Sequence, residues 1–241
     1  MTRQGRILFV TPLFIQAPEL SGIKGLLHGF SRRSLSDGHV LDLGRDASPA
    51  LWAKVAAELG SPGAGIAMVS QVHGSSVIVA EGAGILGEAD ALITRQRGLL
   101  LAIRTADCVP VLVVGHDGEI AAIHAGWRGI AAGVIPAALS AMAAPKHAVV
   151  GPCISAAAYQ VGEEVIDGIV AAGVPASVVA DRSYGARPHA DLKAAARWQL
   201  AQSGVSVEVL PHCTFRDGDL HSYRRDGVRS GRLAAVIGWC P

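Results

Sequence analysis

Val109-Pro-Val-Leu-Val-Val-Gly115, His116-Asp-Gly-Glu119 and Ile120-Ala-Ala-Ile-His-Ala125 follow one another without a break. Two apolar runs, Val111–Val114 and Ile120–Ile123, flank four residues with the composition of a tight turn, which predicts a β-hairpin. Neither run alternates apolar with polar residues, so both strands are expected to be covered on both faces. A sheet covered on both faces needs a layer on each side of it, and that requirement sets the fold class.

Outward from the hairpin, similar runs recur at Gly65–Val69, Val77–Ala80, Leu99–Ile103, Ala148–Val150, Val205–Leu210 and Leu233–Ile237. Helical segments lie between them. Ser48 caps a helix that opens on Pro49 and ends near Leu59, and Ile130–Ala143 is alanine-rich. Glu163–Ala172 is bounded by Gly162 and Gly173, and Asp191–Gln202 carries Leu192, Ala195, Ala196 and Leu200 at helical spacing. Strands and helices do not alternate strictly, which argues for an α+β protein with mixed sheets covered by helices, not a Rossmann array. No repeat, low-complexity tract or long linker divides residues 1–241, so a single domain is expected.

The chain is 50% hydrophobic but only 5% aromatic, so its core must be built from Ala, Val, Leu and Ile. A formal charge of +1 gives no electrostatic footprint for nucleic acid or an anionic membrane. The four cysteines, Cys108, Cys153, Cys213 and Cys240, form no CxxC pair and read as free thiols of a reducing compartment, hence a cytoplasmic protein. Arg3 and Arg6 followed by Ile7–Ile15 imitate a signal peptide, but Pro12 interrupts the run and Ile15-Gln-Ala17 before Pro18 is a poor cleavage site. The longest uncharged stretch, Gly129–Pro145, contains Pro136 and is too short for a membrane span.

His73, Cys108 and His124 each stand where an apolar run gives way to a loop, in Gln71-Val-His-Gly74, Thr105-Ala-Asp-Cys-Val-Pro110 and His124-Ala-Gly-Trp-Arg-Gly129. Three such ligands without a fourth are what an open, catalytic zinc site requires. Each residue alone is commonly a packing or surface residue, and spacings of 35 and 16 residues match no local metal motif, so only the fold could unite them. Asp107 is an acid at the end of an apolar strand and needs a partner or a role. Gly126 and Gly129 allow a tight turn, and a helix starting at Ile130 would aim its positive end near His124. Arg128 there is a candidate anion ligand, while Arg224 and Arg225 form a second basic cluster whose bland reading is an edge strand defended by charge.

Together these motifs, with His28-Gly-Phe-Ser31, Gly151-Pro-Cys-Ile154 and Ser222-Tyr-Arg-Arg-Asp226, resemble the YfiH family, also called the polyphenol oxidase or laccase-domain family. The resemblance implies a layered α/β/β/α sandwich and a zinc-associated His73, Cys108, His124 site. It further implies phosphorolysis of purine nucleosides (adenosine, inosine, guanosine, methylthioadenosine), with adenosine deamination in addition. The partners would then be a nucleoside and phosphate, with no nucleic acid or membrane, in a monomer or small homo-oligomer. Arg33, Gln71, Arg128 and Arg224 are the substrate-binding candidates; Asp107 would orient the site or move a proton, and Cys108 doubles as a nucleophile candidate. Copper is the alternative metal, although nine histidines without HxH pairs argue against multicopper chemistry. Alternatives are a cysteine hydrolase that removes serine from a muramyl precursor, with His73 or His124 as base, a laccase-like polyphenol oxidase, and a regulatory binding protein with a vestigial triad. Departures from the family pattern lie at Arg32–Gly38, where Arg33 takes the place of a motif arginine, at Asp42-Leu-Gly44, and after Ile154, where a glycine is missing.

Overall fold

The computed structural model describes residues 13–35 and 38–241. The signal-like run therefore falls mostly outside the described residues.

Fourteen strands are described: β1 (Phe14–Ile15), β2 (Leu26–Ser31), β3 (Gly65–Ser70), β4 (Val77–Val79), β5 (Gly84–Glu88), β6 (Ala91–Thr94), β7 (Leu99–Thr105), β8 (Val109–Gly115), β9 (Ile120–Ala125), β10 (Pro145–Val150), β11 (Ala180–Asp181), β12 (His189–Ala190), β13 (Ser206–Val209) and β14 (Leu233–Trp239). Twelve of them build two six-stranded sheets. The first runs β1-β2-β14-β7-β3-β5, the second β13-β10-β8-β9-β6-β4, and β11 pairs with β12 alone. Both sheets are mixed: β3 is parallel to β5 and β7, β10 to β13 and β4 to β6, while the remaining pairings in the two sheets are antiparallel.

Side-chain parity shows the layering. In β8, Val109, Val111 and Val113 join a core with Ile130, Val134, Ile135, Ile166, Ile169 and Leu192, outside the second sheet. Leu112 and Val114 point the other way, into a core shared with Leu101, Ile103, Ala235 and Ile237 of the first sheet. The opposite faces of β7 and β14, at Leu100, Ala102, Ala234 and Val236, pack on Trp52, Val55, Ala56 and Leu59. The order is therefore helix, sheet, sheet, helices, as the period of two along each strand requires when both faces are apolar. The predicted hairpin forms, with Val114 opposite Ile120 and Val109 opposite Ala125.

Ser48 accepts from the Leu51 amide to cap the helix Pro49–Glu58, and Asp191 accepts from the Ala194 amide to cap Leu192–Ala201. The expected Ile130–Ala143 helix is instead two helices, Trp127–Ala131 and Val134–Ala141. Gly133 between them has φ +79°, a left-handed conformation that ends one helix and starts the next. The first piece starts three residues earlier than expected and is only five residues long. The basic cluster at Arg224 and Arg225, whose bland reading is a charged edge strand, lies on a short helix, Tyr223–Asp226, capped by Ser222.

Two histidines, His28 of the His28–Ser31 motif and His221 just before Ser222, serve this framework. His28 on β2 is buried; its Nε2 accepts the Ala17 amide at 2.9 Å. Buried His221 donates from Nε2 to the Leu41 carbonyl at 2.8 Å. Burial lowers the pKa of both. The unfolded chain then binds more protons as the pH falls, so this stability is complete above the unfolded value of about 6.5 and is lost on acidification through it. The urea midpoint is expected to fall from pH 7.5 to pH 5.5, and His28→Gln to remove part of that slope. An identical slope in the variant would count against the assignment.

Candidate metal centre and its cavity

Three times between Gln71 and Cys108 the chain leaves the first sheet for the second, and the three crossings meet. Residues 71–76 lead from β3 to β4, Ala89 and Asp90 from β5 to β6, and residues 106–108 from β7 to β8. These corners are sharp. His73 (φ 61°) and Asp107 (φ 88°) are the two non-glycine residues with positive φ among the described residues. Such backbone is costly for a residue with a side chain, and it concentrates at functional sites.

At this junction a ligand atom of His73, of Cys108 and of His124 all lie within 4.8 Å of one another. Cys108 Sγ is 3.9 Å from His73 Nε2, and the two imidazoles meet edge to face with centroids 4.9 Å apart. Gly126 makes this approach possible, because a Cβ there would lie 3.0 Å from both Cys108 Sγ and His73 Cδ2.

Asp90, fully buried, organises the set. Its carboxylate accepts the amides of Val72 (3.2 Å), His73 (3.0 Å) and Gly74 (2.7 Å), and pairs with His124 Nδ1 at 2.7 Å. One side chain thus fixes the loop that carries His73 and the ring of His124. Burial alone would raise the Asp90 pKa, but the bonds from His124 and the loop amides outweigh it and hold the carboxyl below its ordinary value. With Nδ1 donating to Asp90, Nε2 is the His124 nitrogen left to ligate. Burial likewise pushes the Cys108 thiol up, yet the charge of His124 and the bonds to both histidines reverse this and bring it to about 6. Burial pulls His124 down, and the Cys108 thiolate and Asp90 raise it to about 9.

This donor set fits a zinc-like cation. Tetrahedral ligands with bonds of about 2.0–2.3 Å sit about 3.5 Å apart, so the donors, within 4.8 Å of one another, need to close by about 1.3 Å at most. The nearby carboxylate supplies the outer hydrogen bond that metal-bound histidines normally make.

Asp107 does not reach these rings. Its carboxylate accepts the Thr214 hydroxyl (2.6 Å) and the Arg224 amide (2.6 Å), clamping the tail against the Cys108 corner. Gln71 also spends its side chain on backbone, donating to the Arg104 carbonyl at 2.7 Å and accepting its amide at 2.8 Å. Both nonetheless line the cavity beside the donors.

The donors open onto a cavity of about 1100 Å³. Arg128 and Arg224 line it as expected, and so do Arg45, Arg104 and Arg232. Three of these guanidiniums lie over aromatic rings of the same wall: Arg128 over Trp127 (4.4 Å to the centroid), Arg224 over Tyr159 (4.8 Å) and Arg232 over Tyr223 (5.8 Å). Arg33 is not among the lining residues; its backbone bonds to Asp219 and Leu41 instead. Arg225 is turned into the tail, donating to the carbonyls of Thr214, Phe215, Asp217 and Leu220 and pairing with Asp226. The short helix at Trp127 has too few aligned peptides to act as the expected anion site. Asp90, Arg45 and Arg104 escaped the sequence reading. For Asp90 the signal was present: an acid abutting the apolar Ala91-Leu-Ile93.

Residues 45–240 match the family described as multi-copper polyphenol oxidoreductase laccase. Over 194 residues the chain is 40% identical to a purine nucleoside phosphorylase of Deinococcus radiodurans, covering 77% of this chain and 75% of that protein. A purine nucleoside phosphorylase of Streptomyces coelicolor is 40% identical over 193 residues, covering 76% and 78%. A solved Neisseria meningitidis protein has the same fold, with TM-score 0.80 and 32% identity over 91% of this chain and 96% of that one. The YfiH protein of Bacillus licheniformis shares the fold at 24% identity, with TM-score 0.82 over 95% and 97%.

Proposed function

This chain belongs to the multi-copper polyphenol oxidoreductase laccase family, and from that premise we propose that it is a cytoplasmic, zinc-dependent purine nucleoside phosphorylase acting on inosine, adenosine, guanosine or methylthioadenosine. The observation that carries the reading is a three-donor set, His73, Cys108 and His124, on the wall of an arginine-lined cavity. The names of the relatives support the same reaction. Four free cysteines support a reducing compartment.

In phosphorolysis a phosphate oxygen bonds to C1′ of the ribose while the bond from C1′ to the purine nitrogen breaks. The bond pair leaves with the base, which takes up a proton. Arg128 and Arg224 flank the donor set and are assigned to the phosphate, where a guanidinium fork matches two oxygens at once. Asp90 holds His124 and the His73 loop rigid, and Asp107 keeps Arg224 at the corner. Zinc, when bound, supplies an electrophile that polarises phosphate or water. Multicopper oxidation needs several copper centres, whereas among the described residues such donors converge in one set of three.

A second reading is favoured by the lowered Cys108 thiol beside His73: a cysteine hydrolase acting on a serine-containing muramyl precursor. One assay separates the two. Hypoxanthine release from inosine is expected only with phosphate present, in protein carrying about one zinc per chain. Ammonia release from adenosine in the same samples reads the additional deamination. Turnover that ignores phosphate, or none in zinc-loaded protein, would overturn the phosphorylase, and serine release would then establish the hydrolase.

A further inference from the structure

Within the arginine-lined cavity the cations form two groups. Arg128 and Arg224 stand on the segments that carry His124 and bind Asp107. Arg45, Arg104 and Arg232 form the second group, close enough that, after burial, the charges of Arg45 and Arg232 are what depress the Arg104 guanidinium. None of the three makes an ion pair among the described residues. Two carboxylates share this wall, Asp42 and Asp46. Asp42 Oδ1 is already taken by the amides of Gly44 and Arg232, both at 2.9 Å. Arg104 donates to the Val69 carbonyl and Arg232 to the Ser230 and Gly231 carbonyls, which satisfies hydrogen bonds but not charge.

Three guanidiniums against the two carboxylates of Asp42 and Asp46 leave this wall with a net positive charge, which an anion bound there would meet. The phosphate co-substrate accounts for one cation group. The cavity, at about 1100 Å³, is also at the upper end of the size of small-molecule sites. Arg104 lies four residues before Cys108, so the two Cα atoms are at most about 14 Å apart, within the span of one extended ligand.

We propose that Arg45, Arg104 and Arg232 form a second anion subsite that takes a phosphoryl group carried by the substrate itself, as on the 5′-hydroxyl of a purine nucleotide. This rests on the nucleoside reading of the cavity. Phosphorylated substrate would lie across both groups, its glycosidic bond near the donor set and its phosphoryl ester in the guanidinium cluster. Guanidiniums favour this ligand because each fork meets two phosphoryl oxygens.

The test compares inosine 5′-monophosphate with inosine by calorimetric titration of the zinc-loaded protein, alongside phosphate-dependent turnover of inosine. The nucleotide is expected to bind at least about tenfold tighter, with a preference that shrinks as salt rises. Arg45→Ala, on an exposed loop, is expected to abolish most of that preference, and Arg45→Lys to restore part of it. Equal affinity for the two ligands, or a preference untouched in Arg45→Ala, overturns the subsite. If inosine is not turned over but the Arg45-dependent preference remains, the subsite stands and the phosphorylase reading falls. If inosine is turned over and the preference is absent, the reverse holds.

Discussion

Asp90→Asn protein is expected to fold and to lose most of its metal. The substitution keeps the shape of the side chain, but its NH2 meets two donors whichever way it turns, the amides of Val72 and Gly74 or the His73 amide and His124 Nδ1, and the second turn is favoured because the imidazole can adapt. The imidazole relieves the conflict by changing tautomer, so that Nδ1 accepts and Nε2 carries the proton. A protonated Nε2 cannot ligate. Metal affinity should fall about 10–100-fold, the usual cost of losing an outer-shell carboxylate. Asp90→Ala goes further, leaving the amides of Val72, His73 and Gly74 without their acceptor in a fully buried position. Its folding stability should drop by about 3–5 kcal/mol. Metal content after dialysis and urea unfolding read the two effects separately. Wild-type metal affinity in Asp90→Asn would show that something other than this carboxylate orients His124.

Cys108→Ala is expected to remove turnover by a factor of about 100 or more, since an inner ligand should cost at least what an outer one does. Cys108→Ser should behave alike, because a serine hydroxyl stays protonated where the Cys108 thiol, brought to about 6, is a thiolate. Metal-free stability should change little in either, as the side chain is only half-buried and no core packing depends on it. His73→Ala is expected to match Cys108→Ala in both metal content and turnover. Full phosphate-dependent turnover in Cys108→Ala would remove the donor set from the mechanism.

The hairpin and the layering were legible because Val111–Val114 and Ile120–Ile123 are apolar at every position, a pattern that only a doubly covered strand tolerates. Strands β5 and β6 were not. Gly84-Ile-Leu-Gly-Glu88 is mostly exposed and glycine-broken, so nothing in its periodicity separates it from a loop. Missing that pair concealed the crossing between them, and with it Asp90. The donor residues were recognisable by type, but their meeting depends on which sheet each strand joins, and that is settled by pairing partners far away in sequence. Arg33 is absent from the cavity lining for a related reason: a motif position fixes a residue's neighbours in the chain, not the wall its side chain faces. Arg104 was hidden inside an apolar strand, where a lone cation invites no functional reading.

The three sheet crossings give the metal site a mechanical role. His73 leaves the first sheet, His124 belongs to the second, and Cys108 sits on the span between. A cation shared by all three would rivet one layer to the other, adding to the aliphatic packing, the short chain spans and the Asp90 hydrogen bonds that already close this seam. Such a rivet cannot form until both layers are built and stacked, so chelation would report on completed assembly and reward only the finished sandwich. Bound metal would then raise the free energy of unfolding by the logarithm of its excess over the dissociation constant, with the gain concentrated where the layers would first peel apart.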